Sequence, residues 1–555
     1  MVTIGQCTSL KGTSFLFLTL FTLSNISAQW YFHAVEFKNE NQYKLSNPNS
    51  LLEAKAVKKR KLKGIEINGL DFPIPKEKIN AIQDAGFELV YKSRWLNTII
   101  VVSKSPIIPD FDIVKRTWLV DTMSNNKWPI NQNLALDSSK IITVPIEGNR
   151  KYGASESIIN FLGLKGLHQK GYTGNGVDVI VFDGGFSNVH RLSVFDSLRV
   201  NNRFWFYRDM SQNSTNIFAA GQHGTQVLSC MAANLSGTYI GTGFGANYGI
   251  IATETGDFES PLEEWAWIQG VEEASALGAD LIQCSLGYTR FDNEEFDHQS
   301  SDLGILDWPM FKVAKIASDK GLVLVNSAGN EGDGNWKYMG FPSGSPDVFS
   351  VAAAFPNGEI ADFSSHGFEK GAQKPDVAAI GVRTPCIGAA GYVVGATGTS
   401  FSAPCLAGAL TCLIQLYPNQ STIFYKEMLR AISSHSMVHS TRSGYGIPNF
   451  SLALNYSIPN SKMPFYSNQS NLDTLYSGQE IKTFRKSSKK YKLKLTNCQN
   501  SKTKASVSFN LINNLCTGAV LPNMSEGEYE MAIKQGLRKW KKKIYFVSSN
   551  GIDIK

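Results

Sequence analysis

Four short apolar runs dominate the middle of the chain: GVDVIVFDGG from Gly176, ADLIQCSLG from Ala279, GLVLVNSAGN from Gly321 and PDVFSVAAA from Pro346. Each is β-rich and ends in glycine or other small residues. Helix-like segments separate them, most clearly PLEEWAWIQGVEEASALG, Pro261 to Gly278. Strands without a polar face, alternating with helices, predict a parallel sheet covered on both sides. An α/β domain with a mainly parallel, three-layer core is therefore expected over residues 151–458. In such sheets the functional side chains gather at the carboxyl ends of the strands.

With 555 residues the chain is too long for one core, and its length suits about three or four domains. Residues 29–150 predict a small α+β domain. IPKEKINAIQDAG, Ile74 to Gly86, is helix-like with Gly86 as its stop, and FELVYKS and NTIIVVSK follow as strands. After about Asn460 the chain turns polar and then lysine-rich. KYKLKLTN and ASVSFNLI alternate with period two and predict half-exposed strands, so 459–555 is expected to be a β-rich basic region. KQGLRKWKKK, near the end, is expected to be a basic helix.

The charge is unevenly placed. Residues 481–555 hold 16 Lys and Arg against four Asp and Glu, whereas 151–480 hold 19 against 30. An acidic centre argues against a nucleic-acid-binding core. At the N-terminus, Lys11, the apolar run Phe15 to Leu23 and the closing Ala28 predict a secretory signal over 1–28 and an exported protein. No later segment reads as long and apolar enough for a transmembrane helix. Cys7 would leave with the signal. Of the seven other cysteines, several are expected to be buried as small apolar residues, and Cys498 with Cys516 is the pair best placed for a disulfide. No CxxC or Cys/His cluster suggests zinc.

The strand ends carry four chemical groups. Asp183 closes VIVFD. His223 stands in GQHGTQVLSCMAA, where a small-residue turn enters an apolar helix. Asn330 follows LVLVNSAG, and Ser400 lies in ATGTSFSAP ahead of the apolar run CLAGALTCLIQLYP. Singly each has an ordinary use: a helix cap, a structural histidine, a turn former. Pro404 would be tolerated in a helix's first turn, and Thr399 and Ser402 read as turn and first-turn hydrogen-bonding groups. Together the four supply acyl transfer. A serine hydroxyl needs a base, the base needs a carboxylate, and a tetrahedral oxyanion needs fixed donors. Asn330 offers a side-chain N–H, and Ser400 its own N–H at a helix start. His190, near Asp183 in sequence, is the alternative base.

These motifs resemble those of the subtilisin-like serine proteases, the subtilases. VIVFDGG, HGTQV, CSLG (Cys284 to Gly287), SAGNEG and GTSFSAP match in the family's Asp, His, Ser order, and FSSHG and KPDVAA match connecting segments. The resemblance covers about 150–455. It implies Asp183, His223 and Ser400 as the triad, Asn330 as oxyanion donor, and Ser285, Leu286 and Gly287 as the edge along which an extended substrate adds. It departs from the family at Gly184, where Ser is frequent, at Gln226, and in GTSFS; none of these removes a group the mechanism uses. Residues 29–150 resemble the propeptides of secreted subtilases, which implies a folding helper and intramolecular inhibitor.

The expectation is thus a secreted serine endopeptidase acting on proteins or peptides, with no cofactor and no nucleic-acid partner. Calcium is common in the family, but no ligand spacing here points to a site. Two other functions use the same residues. An amine in place of water would make the chain a ligase, and the fold alone could serve as a binding protein.

Overall fold

The computed structural model describes residues 29–38, 52–124 and 151–455, except 212–215, 255–257, 305 and 369–370, together with strands between 473 and 547. The signal, and the pairing of Cys498 with Cys516, lie outside the described residues. Cys230, Cys284, Cys386, Cys405 and Cys412 are buried free thiols, as expected.

The N-terminal unit contains β1 (Gln29–Phe37), α1 (Ala54–Leu62), α2 (Lys76–Asp84), β2 (Glu88–Ser93), β3 (Thr98–Ser103) and β4 (Val114–Ser124). Its strands form an antiparallel sheet in the order β2-β3-β1-β4. The helix predicted around Ile74–Gly86 is α2, which stops before Gly86 at φ +91°. β3 is buried along its whole length because both faces of the sheet are covered. Val35, Phe37, Ile99 and Val101 pack with Ile82 of α2. Phe32, Ala34, Ile100 and Val102, on the other face, join a core belonging to the next domain.

That domain is built on β5 (Asp178–Asp183), β6 (Phe204–Asp209), α3 (His223–Ala232), β7 (Asn247–Ala252), α4 (Leu262–Leu277), β8 (Leu281–Cys284), α5 (Pro309–Asp319), β9 (Val323–Ser327), β10 (Phe349–Ala354), β11 (Val377–Ile380), α6 (Thr399–Leu416) and α7 (Thr422–Ile432). The sheet runs β11-β10-β9-β8-β5-β7-β6, and every neighbouring pair is parallel. Val179 and Val181 of β5 face one core, shared with α3 and α6. Ile180 and Phe182 face the other, shared with α4, α5 and the N-terminal sheet. Double coverage explains the unbroken apolar runs, since neither face of the sheet meets water. Each large apolar side chain so buried stabilises the fold by roughly 1.5–3 kcal/mol.

Two expectations are corrected. Helix α6 is, by length and composition, apolar enough to cross a membrane, contrary to the sequence reading, but nearly all of it is buried inside the domain. KQGLRKWKKK is not a helix. Gly527–Gln535 and Arg538–Val547 form an antiparallel hairpin with Glu530 opposite Lys543 and Ile533 opposite Trp540. The lysines run on into Ile544, Tyr545, Phe546 and Val547, and this β-branched and aromatic end favours a strand.

Candidate active site

The expected residues meet at the carboxyl ends of β5, β8 and β9. Asp183 is the last residue of β5 and is almost wholly buried. His223 is the first residue of α3. Its Nδ1 lies 2.9 Å from both oxygens of Asp183. A carboxylate only accepts, so Nδ1 carries the proton and Nε2 keeps its lone pair. A further donor, the N–H of Gly184, fixes Oδ1 at 2.9 Å. The approach of α3 to β5 requires glycine at 224: a Cβ there would lie 2.5 Å from the Gly185 carbonyl and 2.9 Å from Asp183 Cβ. Attraction to the Asp183 charge, opposed by burial, raises the His223 pKa above its ordinary value. His190, the alternative base, packs at a tilt against Phe218 with ring centroids 4.7 Å apart.

Ser400 is the second residue of α6. The next residue, Phe401, packs edge-on against His223 at 5.7 Å between centroids, setting the first turn of α6 beside the imidazole. None of the three hydroxyls caps this helix. The N-cap is Gly398, and no side chain bonds to the first turn from it. The Ser400 N–H is therefore one of the helix's unpaired leading donors, at the positive end of its dipole.

Asn330 follows β9 on an exposed turn. Its Oδ1 accepts from the Thr399 N–H at 2.9 Å and the Thr399 hydroxyl at 3.0 Å, and that hydroxyl accepts from the Gly329 N–H at 3.1 Å. A backbone N–H only donates, so the atom facing it is the oxygen, and the Asn330 NH₂ is left pointing away as a donor. Thr399 was expected to be only a turn hydroxyl; it orients this amide. Ser402 does not serve as a first-turn hydrogen-bonding group: its hydroxyl is buried without a partner.

Ser285, Leu286 and Gly287 follow β8 outside any regular element, with Gly287 exposed. The Ser285 hydroxyl donates to the Ser400 carbonyl at 2.8 Å, and Ser400 Oγ lies 3.4 Å from the Ser285 carbonyl. Pro404 explains the first bond. α6 begins at Thr399, so Pro404 falls beyond the first turn, and its missing N–H would have bonded the carbonyl four residues back, that of Ser400. Ser285 supplies the absent donor. Beside this strand, the Tyr288 hydroxyl donates to Glu254 at 2.8 Å, and burial pushes the Glu254 carboxyl up to about 7.

This geometry sits within a recognised sequence pattern. The model of the subtilase family matches residues 174–454. The chain belongs to the subtilase family. It is a serine endopeptidase of that family, and a second model, the peptidase S8 propeptide domain of Bacteroidota, matches residues 31–135. Among its relatives, Subtilisin E of Bacillus subtilis (strain 168) is 28% identical over 291 residues, covering 52% of this chain and 68% of the relative. Subtilisin of Bacillus pumilus is 28% identical over 273 residues, covering 48% and 88%. The Thermostable alkaline protease of Halalkalibacterium halodurans is 27% identical over 277 residues, covering 49% and 67%.

Proposed function

We propose that this subtilase is an exported endopeptidase that cleaves protein or peptide substrates through an acyl-enzyme on Ser400. The Asp183–His223 hydrogen bond, placed beside the first turn of α6, is the observation that carries this reading. His223 Nε2 takes the Ser400 proton as Oγ attacks the scissile carbonyl, then returns it to the leaving amine. Asp183 holds the tautomer and stabilises the imidazolium. The oxyanion is met by the Asn330 NH₂ and the Ser400 N–H. Ser285, Leu286 and Gly287 pair with the extended substrate backbone, as an added strand does. Water then hydrolyses the ester by the same relay. The N-terminal unit acts as a propeptide that blocks the site until it is cut away, and residues 1–28 direct export.

A fluorophosphonate probe is expected to label the purified protein once, and peptide mass mapping is expected to place the adduct on Ser400. An adduct on any other residue would refute the assignment. Asn330→Leu is expected to lower kcat by about 10²–10³, a scale set by subtilisins, the chain's own relatives, while KM barely changes. Steady-state kinetics on a chromogenic peptide measures both.

A further inference from the structure

Helix α1 and its C-cap carry Lys55, Lys59 and Lys63 along one stripe, delivered to the amino end of the central sheet, opposite the active site. Lys59 Nζ sits among three oxygens there: Asp178 Oδ2 at 2.6 Å, Asp280 Oδ2 at 2.5 Å and the Gly278 carbonyl at 2.9 Å. Lys55 Nζ lies 3.0 Å from Asp178 Oδ1. Lys63 Nζ lies 3.8 Å from Asp280 Oδ1 and donates to the Gly321 carbonyl at 2.8 Å.

The oxygens are held by the protease domain itself. The Asp178 N–H donates to Asp280 Oδ2 at 3.0 Å, and Asn247 Nδ2 donates to Asp178 Oδ1 at 2.9 Å. With the lysines in place both carboxylates are buried, with side-chain exposures of 6% and 9%. Gly278 ends α4 in the left-handed region at φ +80°, and a Cβ there would lie 2.8 Å from the Ala56 nitrogen. The negative end of the α4 dipole adds to the potential. Among the described residues, every ion pair to Asp178 or Asp280 comes from α1 or its C-cap Lys63, within the segment matched as a propeptide. Its departure would uncover two like charges a few ångströms apart, which repel one another without a counter-ion.

We propose that Asp178, Asp280 and the Gly278 carbonyl form a divalent-cation site of the calcium class, which the propeptide lysines occupy as a tethered surrogate. The ligands are hard oxygens, as calcium prefers, and contracting the Lys59 distances by a few tenths of an ångström reaches calcium–oxygen lengths of about 2.3–2.6 Å. Water completes the shell. Calcium and the propeptide then exclude one another, and by linkage each weakens the other's binding by the same factor. Calcium thereby favours propeptide release and stabilises the domain that remains.

The test uses the full-length chain in a Ser400→Ala background, so its outcome is independent of the protease reading. Calorimetric titration with CaCl₂ is expected to find no binding at this site in the parent. Replacing Lys55, Lys59 and Lys63 with Met is expected to create one site with a Kd on the order of 10⁻⁴ M and to raise Tm in saturating calcium by about 2–4 °C. Adding Asp280→Asn is expected to abolish both gains. If the triple variant does not fold, Lys59→Met alone carries the same expectation. A variant that gains no calcium site, or a gain that survives Asp280→Asn, overturns the proposal.

Discussion

Ser400→Ala is expected to cut kcat by about 10⁶, the loss subtilisins themselves show for their nucleophile, and to leave an uncut precursor. The size follows from the division of labour proposed for the site. Without Oγ there is no ester, so the two-step route through an acyl-enzyme is closed. What survives is substrate binding, the oxyanion donors and a water placed by chance near His223. The substitution removes one oxygen and leaves α6 otherwise unchanged, since the Ser400 carbonyl still receives the Ser285 hydroxyl. Folding should therefore persist, and circular dichroism with an unchanged Tm separates a dead enzyme from an unfolded one. Gel analysis of purified protein over time reads the second half of the expectation. A variant that still matures by itself and still turns over peptide would remove Ser400 from the mechanism.

Much of this is legible in the amino-acid sequence, and the reason differs between fold and site. The β5, β8, β9 and β10 runs were readable because double burial forces a continuous apolar sequence. Asp183, His223, Asn330 and Ser400 were readable because each stands where a strand ends or a helix begins, with glycine or another small residue beside it. The bonds made by the Thr399 and Ser285 hydroxyls are not legible there. Their partners, Asn330 and the Ser400 carbonyl, lie 69 and 115 residues away in sequence, so their use arises only from tertiary packing. One local signal existed for Ser285: a proline four residues after the candidate nucleophile leaves a carbonyl that something must satisfy. Helix α1 was missed for a related reason. AKAVKKRKL has no apolar stripe to mark a buried face, because its partners are carboxylates on the far end of another domain. The basic end of the chain reads as a helix from its charge alone, but the β-branched and aromatic residues that follow favour the strand observed.

Asp183→Asn carries the other large expectation: a fall in kcat of about 10⁴, with a displaced pH profile. The carboxylate does two things to His223. It accepts from Nδ1–H, which keeps the lone pair on Nε2, and its charge holds the imidazole pKa above the ordinary 6.5. An asparagine oxygen could keep the first role, but the NH₂ group can equally donate to Nδ1 and move the ring proton to Nε2, where it blocks the base. The second role is lost outright. In the proposed mechanism His223 must be neutral to accept the Ser400 proton, so in the parent kcat/KM is expected to fall as pH drops through the raised pKa. Removing the negative charge lowers that pKa. The acid limb of kcat/KM should therefore move to lower pH in the variant even as the plateau collapses. A purely structural role for Asp183 would lower the plateau and leave the limb in place. Activity measured from pH 5 to pH 9 on one substrate distinguishes the two: an unmoved limb would mean that the charge on His223 is set by something other than Asp183.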